Sequence, residues 1–200
     1  MTSWRDRINN FSGKTRYVVC RIFVHLSGQE VVPLLGTLNQ VAREAEAAEG
    51  EIKVLGEGLA TICQNLIQLS SHWQSAGNEG DVFWQEAEAG DYVEELFTDS
   101  AQRYLSEPNL SQALSEEELL SLPITQNLIV MLTIACKGEI PELETNLADM
   151  EALEAALKKI TNLHYQESLL AIQVHFSPAQ IGDQLTDDQL LLNFAELIPL

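Results

Sequence analysis

The fold is decided by residues 128–136, which read Leu-Ile-Val-Met-Leu-Thr-Ile-Ala-Cys. Nearly every position of this run is apolar, whereas a strand with one face in water alternates between apolar and polar residues. Gly138 and Pro141 follow the run and are typical of a chain turn. We therefore predict a strand over residues 127–137 that is buried on both faces and lies inside a sheet.

A helix and another strand are predicted after this run. Apolar residues recur at helical spacing from Leu147 to Ile160, and residues 168–177 then alternate, with Gln173 and His175 on the less apolar side. The alternation indicates an outer strand. Because the connection is long and carries one amphipathic helix, the sequence predicts a parallel strand-helix-strand unit with a right-handed crossover.

The remainder of the chain is predicted to cover or extend this unit. Residues 16–27 alternate as a further strand, and residues 30–49 and 52–73 have helical periodicity. Residues 76–81 are rich in glycine and polar side chains, as in a loop, and residues 82–105 are mostly helical, with Gly90 as a possible break.

These elements predict an α+β fold for a single domain over residues 16–200. A small three-stranded sheet with the parallel strand-helix-strand unit is covered by helices, and a helical insertion over about residues 51–122 separates the first two strands. Two helix starts carry capping boxes, Ser115 with Glu118 and Thr186 with Gln189, so the acids beside them have a structural role.

The charge of the 200-residue chain is strongly acidic and unevenly distributed. The net charge is −19, with +4 on residues 1–21 and −23 on the rest. An acidic body repels phosphate, so we expect no nucleic-acid partner. The acids between Glu86 and Glu95 lack the spacing and the glycine bend of a calcium loop, which favours a solvated helix face.

The cysteine pattern indicates the compartment. Cys20, Cys63 and Cys136 are an odd number, are far apart, and each lies among apolar neighbours. We predict three buried, reduced thiols in a reducing compartment. The sequence has neither an apolar run of about 18 residues nor a signal-peptide pattern, so a cytoplasmic location is expected.

Sequence motifs for catalysis or cofactor binding are missing. There is no phosphate-binding glycine loop, no Cys-x-x-Cys pair, no His-Glu-x-x-His and no Gly-x-Ser-x-Gly. His25 and His175 could meet if their strands were neighbours, but zinc sites need three or four ligands and no third is indicated. We therefore expect no catalytic residue, no metal and no cofactor.

The segment before the first strand is basic and amphipathic, and we treat residues 1–15 as a unit separate from the domain. Its apolar side chains fall at i, i+4 and i+7, and basic residues lie between them. Such a face is typical of a helix that binds a partner groove or makes a weak, peripheral contact with an anionic membrane. The candidate binding residues are Trp4, Arg5, Arg7, Ile8 and Phe11.

The second half of the chain resembles a known family. Residues 127–138, 170–178 and 185–191, with the closing Pro199-Leu200, are similar to an uncharacterised domain family of cyanobacteria and plastids, to which the plastid fluctuating-light acclimation protein belongs. The likeness is weaker from residue 16 to residue 73. Phe176 stands where a tryptophan is common, and residues 193–195 read Asn-Phe-Ala where Asp-Tyr-Pro is common.

The resemblance implies a photosynthetic cell and a link to thylakoid regulation, and it implies no catalytic residues. Relatives often carry a membrane-anchoring segment before the domain, and we expect a peripheral contact in its place here. The leading hypothesis is a non-catalytic accessory or regulatory protein that acts through protein contacts, peripheral to the thylakoid membrane. The alternatives are an enzyme of unfamiliar type, with a cleft between the helical insertion and the sheet, and a structural subunit of a larger complex.

Overall fold

The computed structural model describes residues 15–103, 127–179, 183 and 185–200. In this part of the chain five strands and five helices follow one another, with 3₁₀ turns at Gln29–Val31, Ser70–His72 and Pro141–Leu143. The order is β1 (Tyr17–Ser27), α1 (Val32–Ala47), α2 (Ile52–Gln68), β2 (Trp73–Phe83), α3 (Glu86–Gln102), β3 (Asn127–Lys137), α4 (Met150–Tyr165), β4 (Leu169–Ser177), α5 (Asp187–Asn193) and β5 (Ile198–Pro199).

The strands form one sheet in the order β4-β3-β1-β2-β5, and every neighbouring pair is antiparallel. The prediction of an α+β protein with β3 inside the sheet and β4 at its edge is confirmed. The prediction of a three-stranded sheet with a parallel strand-helix-strand unit is wrong. Cys136 pairs with Leu169 and Ile129 pairs with Ser177, so β4 runs back along β3.

The reason for the antiparallel pairing lies in the path of residues 138–149. The side chain of Asn78 on β2 accepts a hydrogen bond from the Leu147 N–H (2.9 Å) and donates one to the Thr145 carbonyl (3.0 Å). Since β2 lies two strands away from β3, the connection runs sideways across the sheet instead of back along the strand. Helix α4 then returns to the edge, and β4 starts at the end where β3 stopped. The length of the connection therefore does not determine the strand direction.

The predicted loop over residues 76–81 is also wrong, because these residues form the middle of β2. The segment between β1 and β3 is therefore not a purely helical insertion. Its glycines indicate close packing instead of a turn. A Cβ at Gly77 would collide with the Glu196 carbonyl, and one at Gly80 would collide with the Val19 carbonyl on β1.

One face of the sheet carries the main core. Alternate residues of β1 and β3 pack here against α1, α2 and α4, and α2 lies between the other two helices. Cys20, Cys63 and Cys136 are buried in this core and form no disulfide, as predicted. Burial raises the pKa of each thiol to about 12, which keeps all three protonated.

The other face is covered by α3 and by the segment around α5. Ala89, Val93 and Leu96 of α3 pack over one end of β1, and Leu190 and Phe194 pack over the other end. Helix α3 is continuous through Gly90, and its acids from Glu86 to Glu95 are exposed, as predicted.

Helix ends follow the capping rules. The Asp149 side chain accepts hydrogen bonds from the first turn of α4, and the predicted Thr186–Gln189 capping box begins α5. The predicted Ser115–Glu118 box lies outside the described residues. Over the described ranges, every helix is too short or too polar to cross a membrane.

The sideways path of residues 138–149 can be tested at Asn78. The Asn78→Ala substitution removes both hydrogen bonds, and we expect it to lower the free energy of unfolding by about 1–3 kcal/mol. Asn78→Asp keeps the acceptor for Leu147 but sets a carboxylate oxygen against the Thr145 carbonyl, so it should not recover the stability of wild type. Urea denaturation measures both. Asn65→Ala, which among the described residues breaks a single bond, to the Thr61 carbonyl within α2, is the control. An equal loss in Asn78→Ala and in the control would contradict the role of this anchor.

Candidate functional site

A buried cation lies on the face of the sheet that α3 and α5 cover. It is placed between the apolar cluster of α3 and the apolar cluster of α5. Arg21 of β1 is 2% exposed. Its guanidinium donates to Glu79 on β2, to the Leu96 carbonyl (3.0 Å) and to Ser100 Oγ (2.8 Å), and it lies 2.6 Å from Asp99 Oδ2 on α3. The five N–H donors of arginine in a planar fork are suited to serving several acceptors at once.

The network continues to the end of the chain. Asp99 also accepts from Arg103 Nε (2.9 Å), and Arg103 forms a two-pronged ion pair with Glu196 at 2.8 and 2.9 Å. Burial raises the pKa values of Asp99 and Glu196, but the hydrogen bonds from the arginines outweigh it, and both are lowered. Five alternating charges thus link β1, β2, α3 and the segment after α5.

His175 of β4 lies on the same face and is buried. Burial and the positive charge of Arg21 lower the pKa of His175 to about 4, so the imidazole is neutral at physiological pH. Helix α3 covers the network and every charge in it has a partner. We interpret this layer as structural.

The two histidines considered as metal ligands do not meet. His25 hydrogen-bonds to Ser75 Oγ and Asn127 Oδ1, each at 3.1 Å, and β3 separates it from His175 on β4. Within the described ranges no group of three or more His, Cys, Asp or Glu side chains could hold a metal ion.

An open cleft lies on the opposite side of the sheet, between α2 and the junction of α4 with β4. We call it the α2–α4 groove. Its volume is about 700 Å³, and its lining residues are Ile52, Lys53, Glu57, Ala60, Thr61, Gln64, His164, Tyr165, Glu167 and Leu169. Ala60 and Leu169 are buried, whereas Ile52 is 43% exposed and Tyr165 is 68% exposed. The groove therefore has a buried apolar floor and exposed apolar groups at its rim.

Two glycines of α2 allow its close approach to the neighbouring helices. A Cβ at Gly56 would collide with the ring of His164 on α4, and one at Gly58 would collide with Val41 on α1. Glycine inside a helix is otherwise destabilising by about 1 kcal/mol relative to alanine, so the presence of these two glycines needs a packing reason. Their spacing was the available signal that two partners pack tightly against α2.

The groove lies where the enzyme alternative places a cleft, between the segment after residue 51 and the sheet. The chemistry of the groove, however, differs from that of an active site, where catalytic residues typically have strongly shifted pKa values. The four side chains with the most strongly shifted pKa values in the described chain are Cys20, Cys63, Cys136 and His175, and none of them lines the groove. The groove offers exposed polar groups and apolar surface, which suits binding.

The residues predicted to bind a membrane or partner are Trp4, Arg5, Arg7, Ile8 and Phe11, and they lie outside the described residues. The groove residues were not predicted, because they come from two segments about 100 positions apart.

A family model with the description "Protein of unknown function (DUF1517)" matches residues 16–200. The chain belongs to the DUF1517 family. This confirms the predicted membership of an uncharacterised domain family. Comparisons of the DUF1517 chain with curated proteins and with solved structures find no match.

The importance of the arginine fork can be tested by Arg21→Lys. A lysine keeps the charge but has one ammonium group for acceptors on two elements, so we expect this DUF1517 protein to lose about 2–4 kcal/mol of unfolding free energy. Chemical denaturation gives the value. The same substitution at Arg43, whose side chain bonds Gln40 on its own helix and no other described residue, should cost at most about 0.5 kcal/mol. Similar small losses at both positions would show that the fork is not required.

The buried imidazole predicts a pH dependence of stability. The pKa of His175 is about 4 in the folded protein and about 6.5 when unfolded, so the unfolded state binds the proton first as pH falls. The contribution of neutral His175 to the free energy of unfolding is fully present above pH 6.5. It decreases as the pH falls toward 4, and the loss at pH 5 is at most about 2 kcal/mol.

Denaturation of wild type and His175→Gln at pH 7.5 and pH 5 measures this effect. We expect a smaller decrease in the variant. The pKa of His25 is also lowered by burial. Because His25 is present in both proteins, its effect on the pH dependence of stability is the same in both and cancels in the comparison. Parallel decreases in the two proteins would contradict the assignment to His175.

Proposed function

We propose that this DUF1517 protein is a non-catalytic accessory or regulatory protein that acts through protein contacts at the α2–α4 groove. One observation carries the proposal: Ile52 and Tyr165 are exposed apolar side chains on either side of an open cleft. Large apolar groups at the rim of a groove are typical of surfaces that bind a partner.

The groove suits an amphipathic helix with basic residues. A buried floor receives the apolar face of such a helix in many helix-in-groove complexes. Glu57 on α2 and Glu167 after α4 lie on opposite walls, with Lys53 as the lining cation. The net charge of −19 adds long-range attraction for a basic partner and disfavours nucleic acid.

The proposed cellular setting comes from the family resemblance. Similarity of residues 127–200 to the cyanobacterial and plastid family supports a role in photosynthetic physiology, in the cytoplasm and peripheral to the thylakoid membrane. The segment with Trp4, Ile8 and Phe11 is proposed to add a weak contact with anionic lipid, since its basic residues attract the headgroups.

Affinity capture with matched variants tests the groove. The bait is the 200-residue chain, in an extract of the cells that express it. Ile52→Ser with Tyr165→Ser removes the two rim groups. The control is Leu191→Ser with Leu192→Ser, which removes two exposed apolar groups on α5, on the other side of the sheet.

We expect a protein that wild type and the α5 control retain and that the groove variant loses at least tenfold. Circular dichroism of all three baits verifies that they are folded. If the groove variant retains the same proteins as wild type, the groove is not the contact surface.

A further inference from the structure

We propose that residues 2–14 of this chain are themselves an occupant of the α2–α4 groove. The inference rests on the proposed function in one respect: it takes the groove as a surface that receives an amphipathic helix. It adds the identity of one occupant and a form of regulation, because a partner must then displace the segment.

The start of the described chain lies close to the groove. The Arg16 carbonyl accepts a hydrogen bond from the Gly138 N–H (3.0 Å), and the adjacent Lys137 N–H donates to the Ser168 carbonyl (3.4 Å). Ser168 lies between Glu167 and Leu169, which both line the groove. Two strand spacings of about 4.8 Å therefore place Arg16 about 10 Å from the groove wall.

The link between Phe11 and Arg16 is long enough. These residues are five positions apart, and an extended chain of five steps spans up to about 17 Å. A helix over residues 4–11 would be about 12 Å long. It could lie along the groove without full extension of the chain between Phe11 and Arg16. Arg16, to which the segment is joined, lies at the end of the sheet at which α4 ends and β4 begins.

The pattern and charge of the segment match the groove. Trp4, Ile8 and Phe11 form the i, i+4, i+7 face that helix-in-groove contacts use. Residues 1–14 carry a net charge of +2, and the rest of the chain carries −21. Arg5 and Arg7 are thus attracted by the body of the protein, including Glu57 and Glu167 on the groove walls.

The covalent link between the segment and the domain favours the segment over a separate partner helix as the occupant of the groove. A short flexible link gives an effective concentration in the millimolar range, so even a weak contact is largely formed. A partner helix must bind tightly enough to compete with it. Removal of the segment, or its binding elsewhere, would open the groove.

Fluorine NMR of the 200-residue chain with 5-fluorotryptophan tests the proposal. The three tryptophans are Trp4, Trp73 and Trp84, and Trp4→Phe assigns the resonance of Trp4. The reference is a synthetic peptide of residues 1–14. In this NMR experiment the groove variant is a different one from that of the capture experiment: it combines Glu57→Lys with Tyr165→Ser, both at exposed positions. Glu94→Lys on α3 is the control, with one charge reversal on the other side of the sheet.

We expect the Trp4 resonance of wild type and of Glu94→Lys to differ from that of the peptide. In the groove variant, or at 0.5 M NaCl, it should move most of the way to the peptide position. Unchanged resonances of Trp73 and Trp84 show that the fold persists. The proposal is overturned if wild type already matches the peptide, or if the groove variant leaves Trp4 where it is in wild type.

These outcomes are independent of the capture experiment. A groove-dependent partner together with a peptide-like Trp4 resonance would overturn the internal occupant and leave the proposed function intact. A Trp4 resonance that responds to the groove variant, without any groove-dependent partner, would support the internal occupant and contradict the proposed function.

Discussion

The structure depends on the buried guanidinium of Arg21, a full charge at the centre of the sheet. Removing a charge from water is costly unless it is paired and hydrogen-bonded. Its acceptors come from β2 and α3, so β1, β2 and α3 must lie in fixed relative positions. Through Asp99 and Arg103 the same constraint reaches Glu196, after α5. Ion pairs thus add to the apolar packing of α3 and α5 on this face of the sheet, whereas apolar packing dominates on the other face.

The elements with strong periodicity could be predicted from the sequence. The continuous apolar run of β3, the alternation of β1 and β4, and the helical stripes of α1, α2 and α4 each follow from burial. The direction of β4 could not be predicted, because it depends on the long-range bonds of Asn78, 67 residues before Thr145. Strand β2 was missed because Gly77 and Gly80, which pack against other backbones, have the composition of a turn.

The residues that line the α2–α4 groove could not be predicted, for a related reason. Periodicity shows which face of each helix is buried, but it does not show that two buried faces leave a gap. Ile52 and Tyr165 occupy terminal positions of their helices, where side-chain exposure has no periodic signature. Gly56 was the local signal in the sequence for the contact between α2 and α4, because its missing side chain leaves room for the ring of His164.

The two faces of the sheet therefore have different roles in this account. The face of Arg21 is closed and held by ion pairs, and the face of α2 and α4 carries an open groove near the start of β1. The apolar residues proposed to occupy the groove are also those proposed to contact a membrane. Because one face of a helix cannot be buried in both places, the two contacts exclude each other.

Hydrogen–deuterium exchange of the 200-residue chain, with and without the partner retained in a groove-dependent manner, tests the central claim most directly. We expect slower exchange of backbone amides over residues 52–64 and 164–169 in the complex. Exchange in β1 and β3 should be unchanged, because these strands are already buried. Slower exchange confined to α3 or α5, with residues 52–64 and 164–169 unaffected, would contradict the account.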